Sequence, residues 1–143
     1  MTTDSCDLCG SEGGEPIWRD ARLRIVRVAD PDYPAYCRVI WNGHVREMTD
    51  LCPADRTHLM NVVFAVEAAL RCLAGVEKIN LASFGNLTPH VHWHVVARTP
   101  GDRHFPEPLW GAARARGAPV RIEVSVELLK QTVRRALARL PKE

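Results

Sequence analysis

Nowhere in the 143 residues is there an uninterrupted apolar run of the ~20 residues that a membrane-crossing helix needs. The opening stretch MTTDSCDLCG lacks the basic run and apolar centre of a secretory signal. Those two absences predict a cytoplasmic protein with no membrane partner. No segment repeats at a fixed period and no tract is of low complexity, which leaves out repeat architectures. An excess of one charge is missing too. The 19 Lys and Arg against 17 Asp and Glu leave a formal net charge of +2, which neither demands a nucleic-acid partner nor excludes a phosphorylated ligand. Five cysteines, Cys6, Cys9, Cys37, Cys52 and Cys72, make an odd number. In a cytosolic chain that argues against a disulfide framework. What is present is the length and apolar content of one domain with one core, spanning 1–143.

Residues 1–16 are poor in apolar groups and read as a mostly irregular arm carrying Cys6-x-x-Cys9. IWRD and RLRIVRV read as two strands with a turn near Asp20, Leu23 and Ile25 on one face and Val26 and Val28 on the other. After the loop ADPDYPAY, CRVIWN reads as a buried strand. Leu59, Val63, Val66, Leu70 and Leu73 then repeat at helical spacing, with Pro53 suited to the first turn and Gly75 to the stop. His58 is expected to be exposed on that helix. KINLASF is a strand, GNLTP a tight loop and HVHWHVVAR the next strand. Residues 99–121 form a long loop rich in proline and glycine. Over 125–140 Ser125 caps a last helix, whose Val126, Leu129, Val133, Leu137 and Leu140 share a face. Its Lys130, Arg134, Arg135 and Arg139 lie off that stripe as a solvated face, so no nucleic-acid partner is expected. The class is α+β: an antiparallel sheet of about five strands with one long central helix and a C-terminal helix.

Half of the six histidines fall in HVHWHVV, residues 90–96. Side chains alternate across a strand, so His90, His92 and His94 share one face while Val91, Trp93 and Val95 point to the core. Same-face neighbours lie roughly 7 Å apart, so two imidazoles reach one ligand. Three readings follow: a solvated face, a metal face with three histidine ligands, or nucleophilic and acid–base chemistry on a phosphate. The preceding FGNLTP favours the last. A turn at Gly85 brings backbone N–H groups to an anion, and Asn86 donates to a phosphate oxygen.

HVHWHVV resembles the signature of the histidine-triad (HIT) superfamily of nucleotide hydrolases and transferases, in its bacterial hydrolase branch. The resemblance runs from about residue 16 to 110, and DRHFPEPLWG looks like the segment that follows the triad in that branch. It implies a HIT-like fold, usually a homodimer, and cleavage at the α-phosphorus of a nucleoside phosphate conjugate through a nucleotidyl-histidine. It places the nucleophile at His92, leaving-group assistance at His94, and support or metal binding at His90. Asn80 and Asn86 match polar positions that contact ribose-phosphate or phosphate oxygens, and Asp30 the acidic position that holds ribose hydroxyls. Two departures stand out: Tyr36 replaces a further histidine, and Leu87 a serine three residues before the triad. Both shift the expectation from phosphoramidates toward dinucleoside polyphosphates or general nucleotide hydrolysis.

By spacing, Cys6-x-x-Cys9 is half of a zinc site. The resemblance supplies the other half, His44 and His90, and so implies a structural zinc and no organic cofactor. Cys37, Cys52 and Cys72 are expected to be small buried apolar residues, and His104 and Trp110 to close over a ligand or a dimer partner. A two-fold homodimer is expected because CRVIW, the long helix and the Pro-rich loop offer more apolar surface than one small sheet covers. Two other functions compete with the hydrolase: a nucleotide-binding module of weak activity, and a zinc-dependent hydrolase with the triad as ligands.

Overall fold

A computed structural model describes residues 5–114 and 122–141. The strands are β1 (Glu15–Arg19), β2 (Leu23–Arg27), β3 (Tyr36–Trp41), β4 (Lys78–Ala82) and β5 (His92–Arg98). They form one sheet in the order β1-β2-β3-β5-β4 with every neighbouring pair antiparallel. The helices are α1 (Asp7–Gly10), α2 (Pro53–Arg71) and α3 (Val126–Leu137), and a 3-10 turn spans Met48–Asp50. This is the α+β architecture that the sequence predicts: a five-stranded antiparallel sheet with one long helix and a C-terminal helix.

Strand alternation divides the sheet into two unlike faces. Odd-numbered Leu23, Ile25, Val39 and Val95, with Val91 just ahead of β5, join one core with the stripe Leu59, Val63, Val66 and Leu70 of α2 and with Leu129 and Val133 of α3. Each such side chain contributes roughly 1.5–3 kcal/mol by leaving water. Pro53 opens α2 where its missing N–H costs nothing. The chain turns away at Gly75, whose φ of +83° suits a residue without Cβ. Ser125 accepts the Leu128 N–H and caps α3 as its type predicts. The opposite, even-numbered face carries the triad and is covered by the N-terminal segment: Cys6 and Leu8 pack on Val26 and Ile40.

Several expectations need correction. The arm ends earlier than expected, because Glu15 already pairs with Arg27 of β2, and within it the short α1 winds Cys6 and Cys9 toward one centre. Cys52 and Cys72 are exposed, since they flank α2 outside its apolar stripe; only Cys37 is a buried core residue. His58 is not free on its helix: its Nε2 lies 2.7 Å from Asp20 Oδ2. CRVIW needs no partner to cover it, because β3 is central and its apolar groups pack on α2 or under α1. Exposed apolar groups occur elsewhere, at Phe64, Phe84, Leu87, Trp110 and Leu128. The second part of the long loop, 115–121, lies outside the described residues.

Candidate active site and metal centre

At the start of the triad strand, Cys6, Cys9, His44 and His90 bring their ligand atoms within 4.8 Å of one another. The turn Cys6–Gly10, closed by Cys9 N–H and Gly10 N–H on the Cys6 carbonyl, aims both sulfurs the same way. Arg24 of β2 fixes this turn from beneath, donating to the carbonyls of Leu8, Ser11 and Glu12 and to Asn42. Cys6 Sγ and Cys9 Sγ each lie 3.5 Å from His90 Nδ1, and Cys9 Sγ lies 3.3 Å from His44 Nδ1. A tetrahedral zinc with its usual bond lengths sets sulfur–nitrogen edges of about 3.5 Å, so the donor set fits that ion. His90 Nε2 is 2.6 Å from the Trp41 carbonyl, to which it donates; this leaves Nδ1 unprotonated toward the sulfurs. That carbonyl contact is the kind that orients metal-binding histidines.

The other two triad imidazoles face different partners. His92 Nδ1 is 2.6 Å from the carbonyl oxygen of His90. A carbonyl only accepts, so Nδ1 carries the proton and Nε2 keeps its lone pair. His94 Nδ1 is 2.7 Å from the Tyr36 hydroxyl across β3–β5, and the His92 and His94 rings meet edge to face at 4.9 Å. Burial lowers the pKa of His92, opposed by its bond to the His90 carbonyl. Burial, then His92 and then Arg38, lowers His94 to about 3. Burial raises Tyr36, with the Arg38 charge opposing. Near neutral pH the site therefore holds two uncharged imidazoles and a protonated phenol.

The loop between β4 and β5 leads into the triad. Gly85 takes φ of +80°, Asn86 is exposed, and Ser83 Oγ donates to the His92 carbonyl. Trp110 returns from the long loop to place its ring 4.9 Å from His94 and 4.8 Å from Phe84. His104 instead meets the Tyr33 hydroxyl at 2.6 Å. Asn80 stands on the triad face, but its Oδ1 accepts from Arg98, a buried guanidinium also paired with Asp102. Asn80 also lines a groove of about 550 Å³ with Phe84, Pro106 and Trp110. Asp30 lies outside this cluster. Its Oδ1 caps the Asp32 N–H, and it borders a shallow groove with Glu15 and Arg27.

A family model for the HIT domain matches residues 14–101. The chain belongs to the HIT family. Among solved structures it is similar to a histidine triad protein from Bradyrhizobium japonicum, at 27% identity over 87% of this chain and 91% of that one, with a TM-score of 0.69. A histidine triad protein from Sinorhizobium meliloti matches at 26% identity over 97% and 100%, also at 0.69. A Zn-bound histidine triad family protein from Mycobacterium smegmatis shares the fold at 22% identity over 96% of each chain, with a TM-score of 0.62. No protein with a curated description matches by sequence. HIT membership supports a function of nucleotide-binding or hydrolase type. Among the described residues, no helix is long and apolar enough to cross a membrane.

Sequence reasoning missed Arg24 as the clamp on the cysteine turn, and it saw in Tyr36 only a missing histidine. A signal existed for both. Arg24, Tyr36 and the triad all carry even numbers, and β2, β3 and β5 pair even with even. Without the register that parity has no meaning.

Proposed function

We propose that this HIT protein hydrolyses a nucleoside phosphate conjugate, a dinucleoside polyphosphate or similar, at its α-phosphorus through a nucleotidyl-histidine on His92. The observation that carries the reading is the bond of His92 Nδ1 to the His90 carbonyl, which leaves Nε2 unprotonated and available to attack. In the first step Nε2 forms a bond to phosphorus and the bond to the leaving oxygen breaks. His94, kept neutral by burial and accepting at Nδ1 from Tyr36, carries its proton on Nε2 and donates a hydrogen bond to the departing oxygen, which leaves as a phosphate anion. In the second step water attacks phosphorus, the P–N bond breaks and a nucleoside monophosphate leaves. Splitting one displacement into two lowers each barrier. Gly85 and Asn86 bind phosphate oxygens, with Asn80 and Asp30 as the remaining nucleotide contacts. Rapid quench of the wild type with a dinucleoside polyphosphate should trap a nucleotidyl adduct on the His92 peptide. An adduct on His90 or His94, or His92→Asn protein turning over at the wild-type rate, overturns the assignment. A panel comparing phosphoramidate, polyphosphate and adenylate linkages names the substrate.

The metal in this reading is a structural zinc on Cys6, Cys9, His44 and His90, supported by the fitting donor distances and by the Zn-bound relative of the same fold. When bound it closes a four-ligand shell that ties the N-terminal segment to the triad strand and leaves no open position for chemistry. We also propose a two-fold homodimer, resting on the edge strand β4 and the exposed Phe64 of α2. A monomer mass by light scattering at micromolar concentration counts against it.

A further inference from the structure

Three arginines stand on the triad face: Arg24 on β2, Arg38 on β3 and Arg98 at the end of β5. Two are fully engaged. Arg24 is held by three carbonyls and Asn42. Arg98 is held by Asp102, Asn80 and the Glu107 carbonyl. Arg38 lies between them and is different. Among the described residues its terminal nitrogens make only a 3.4 Å contact to the Gly13 carbonyl and a side-chain contact with the Tyr36 hydroxyl. Its Nε is buried with no partner, and among the described residues no carboxylate pairs with it.

Position makes this orphan donor informative. Arg38 is the cross-strand partner of His94, so the two Cβ atoms are roughly 5 Å apart on one face. Its guanidinium carbon is 5.9 Å from the Tyr36 ring centroid, beside the phenol that holds His94. Its charge is felt at both His92 and His94. A buried N–H left unbonded is costly, and a guanidinium matches phosphoryl oxygens in shape and charge. We propose that Arg38 binds the phosphoryl group of the substrate, its Nε donating to a non-bridging oxygen of the phosphorus that His92 attacks. Negative charge grows on those oxygens during the displacement, and the Arg38 guanidinium supplies a fixed positive charge that meets it.

The proposal rests on the nucleotide reading above, and the test keeps the two separable. Binding of adenosine 5′-monophosphate, of adenosine and of inorganic phosphate is measured by calorimetry on wild type, Arg38→Gln and Arg38→Lys, with thermal midpoints recorded. Arg38→Gln should weaken monophosphate binding about tenfold or more, the cost of one charge-assisted bond, and leave adenosine binding unchanged. Arg38→Lys keeps the charge without Nε and should fall between; it carries the test should Arg38→Gln fail to fold. Equal monophosphate affinity in the folded variants and wild type overturns the proposal. So does a wild type that binds neither the monophosphate nor phosphate. Phosphate binding that depends on Arg38, with no nucleotide bound, sustains Arg38 as the anion site and sinks the nucleotide reading.

Discussion

His90 and His94 share one face of one strand segment, yet their Nδ1 atoms meet opposite company: two cysteine sulfurs at one end, a phenol at the other. The sulfurs reach His90 because α1 folds over the end of β3, and Arg24 pins it there. The phenol reaches His94 because β3 pairs with β5 in a register that puts Tyr36 against Val96, one alternate position along from Arg38 and His94. The residue type is the same, so the difference comes from what the neighbouring strands deliver. One imidazole suits a metal and the other suits a neutral hydrogen-bond donor. His92, between them, takes its tautomer from the His90 main chain.

The largest expected effect falls on that middle position. His92→Asn removes the proposed nucleophile and keeps a polar side chain of similar reach. Turnover should drop by on the order of 10⁴-fold or more, as for other nucleophile deletions, with nucleotide binding retained. A loss of binding in step with the loss of rate would instead mark His92 as a contact residue and break the contrast with its neighbours.

The metal end comes next. Purified protein should hold about one zinc per chain, measured by elemental analysis, and Cys6→Ser should lose it. At free zinc a thousandfold above its Kd the lost linkage amounts to about 4 kcal/mol, so the thermal midpoint should fall by roughly 10 °C. Metal-free wild type of equal stability, with both cysteines rapidly alkylated, would mean that His90 is no ligand.

How much of this was legible beforehand depends on the range of the signal. The triad, the α2 stripe and the two-face alternation of β2 and β5 are local patterns, and a period of 2 or 3.6 declares them. The cysteine pair was visible by spacing, but its partners His44 and His90 needed a family resemblance, because ligands contributed by distant segments leave no periodic trace. Tyr36 looked like a defect in a motif. Only the cross-strand pairing shows that its hydroxyl reaches His94, and the same pairing reveals Arg38. His58 and Cys52 were misread for a related reason: a helix position says which face a side chain takes, not what another loop brings to that face. Asp20 does so for His58, whereas Cys52 stays exposed among the described residues.

Tyr36→Phe tests the phenol end with a smaller effect. The ring volume stays and one hydrogen bond goes, so His94 loses the donor that fixes its tautomer. We expect kcat to fall by about tenfold, the worth of one hydrogen bond, with KM little changed. Tyr36→His, which restores a donor at that position, should recover part of the loss. A rise in KM with kcat intact would assign Tyr36 to substrate binding.

The smallest effect is read in acid. An exposed, unfolded histidine titrates near pH 6.5, whereas His94 in the folded chain stays neutral down to about 3, chiefly through burial and then through His92 and Arg38. Between those values the unfolded state binds a proton that the native state refuses, so His94 makes stability rise with pH. Its contribution is complete above about pH 6.5 and is lost progressively as pH falls toward 3. One such proton corresponds to a slope of at most about 1.4 kcal/mol per pH unit. His94→Gln removes the titrating group but leaves the metal ligands, so acid release of zinc is common to both proteins and cancels in the comparison. Denaturant unfolding of the two at a series of pH values from 7 to about 4 should give a shallower slope for the variant. Equal slopes would mean that His94 takes up its proton in the native state, and the neutral donor assigned to the phenol end would then be a charged one.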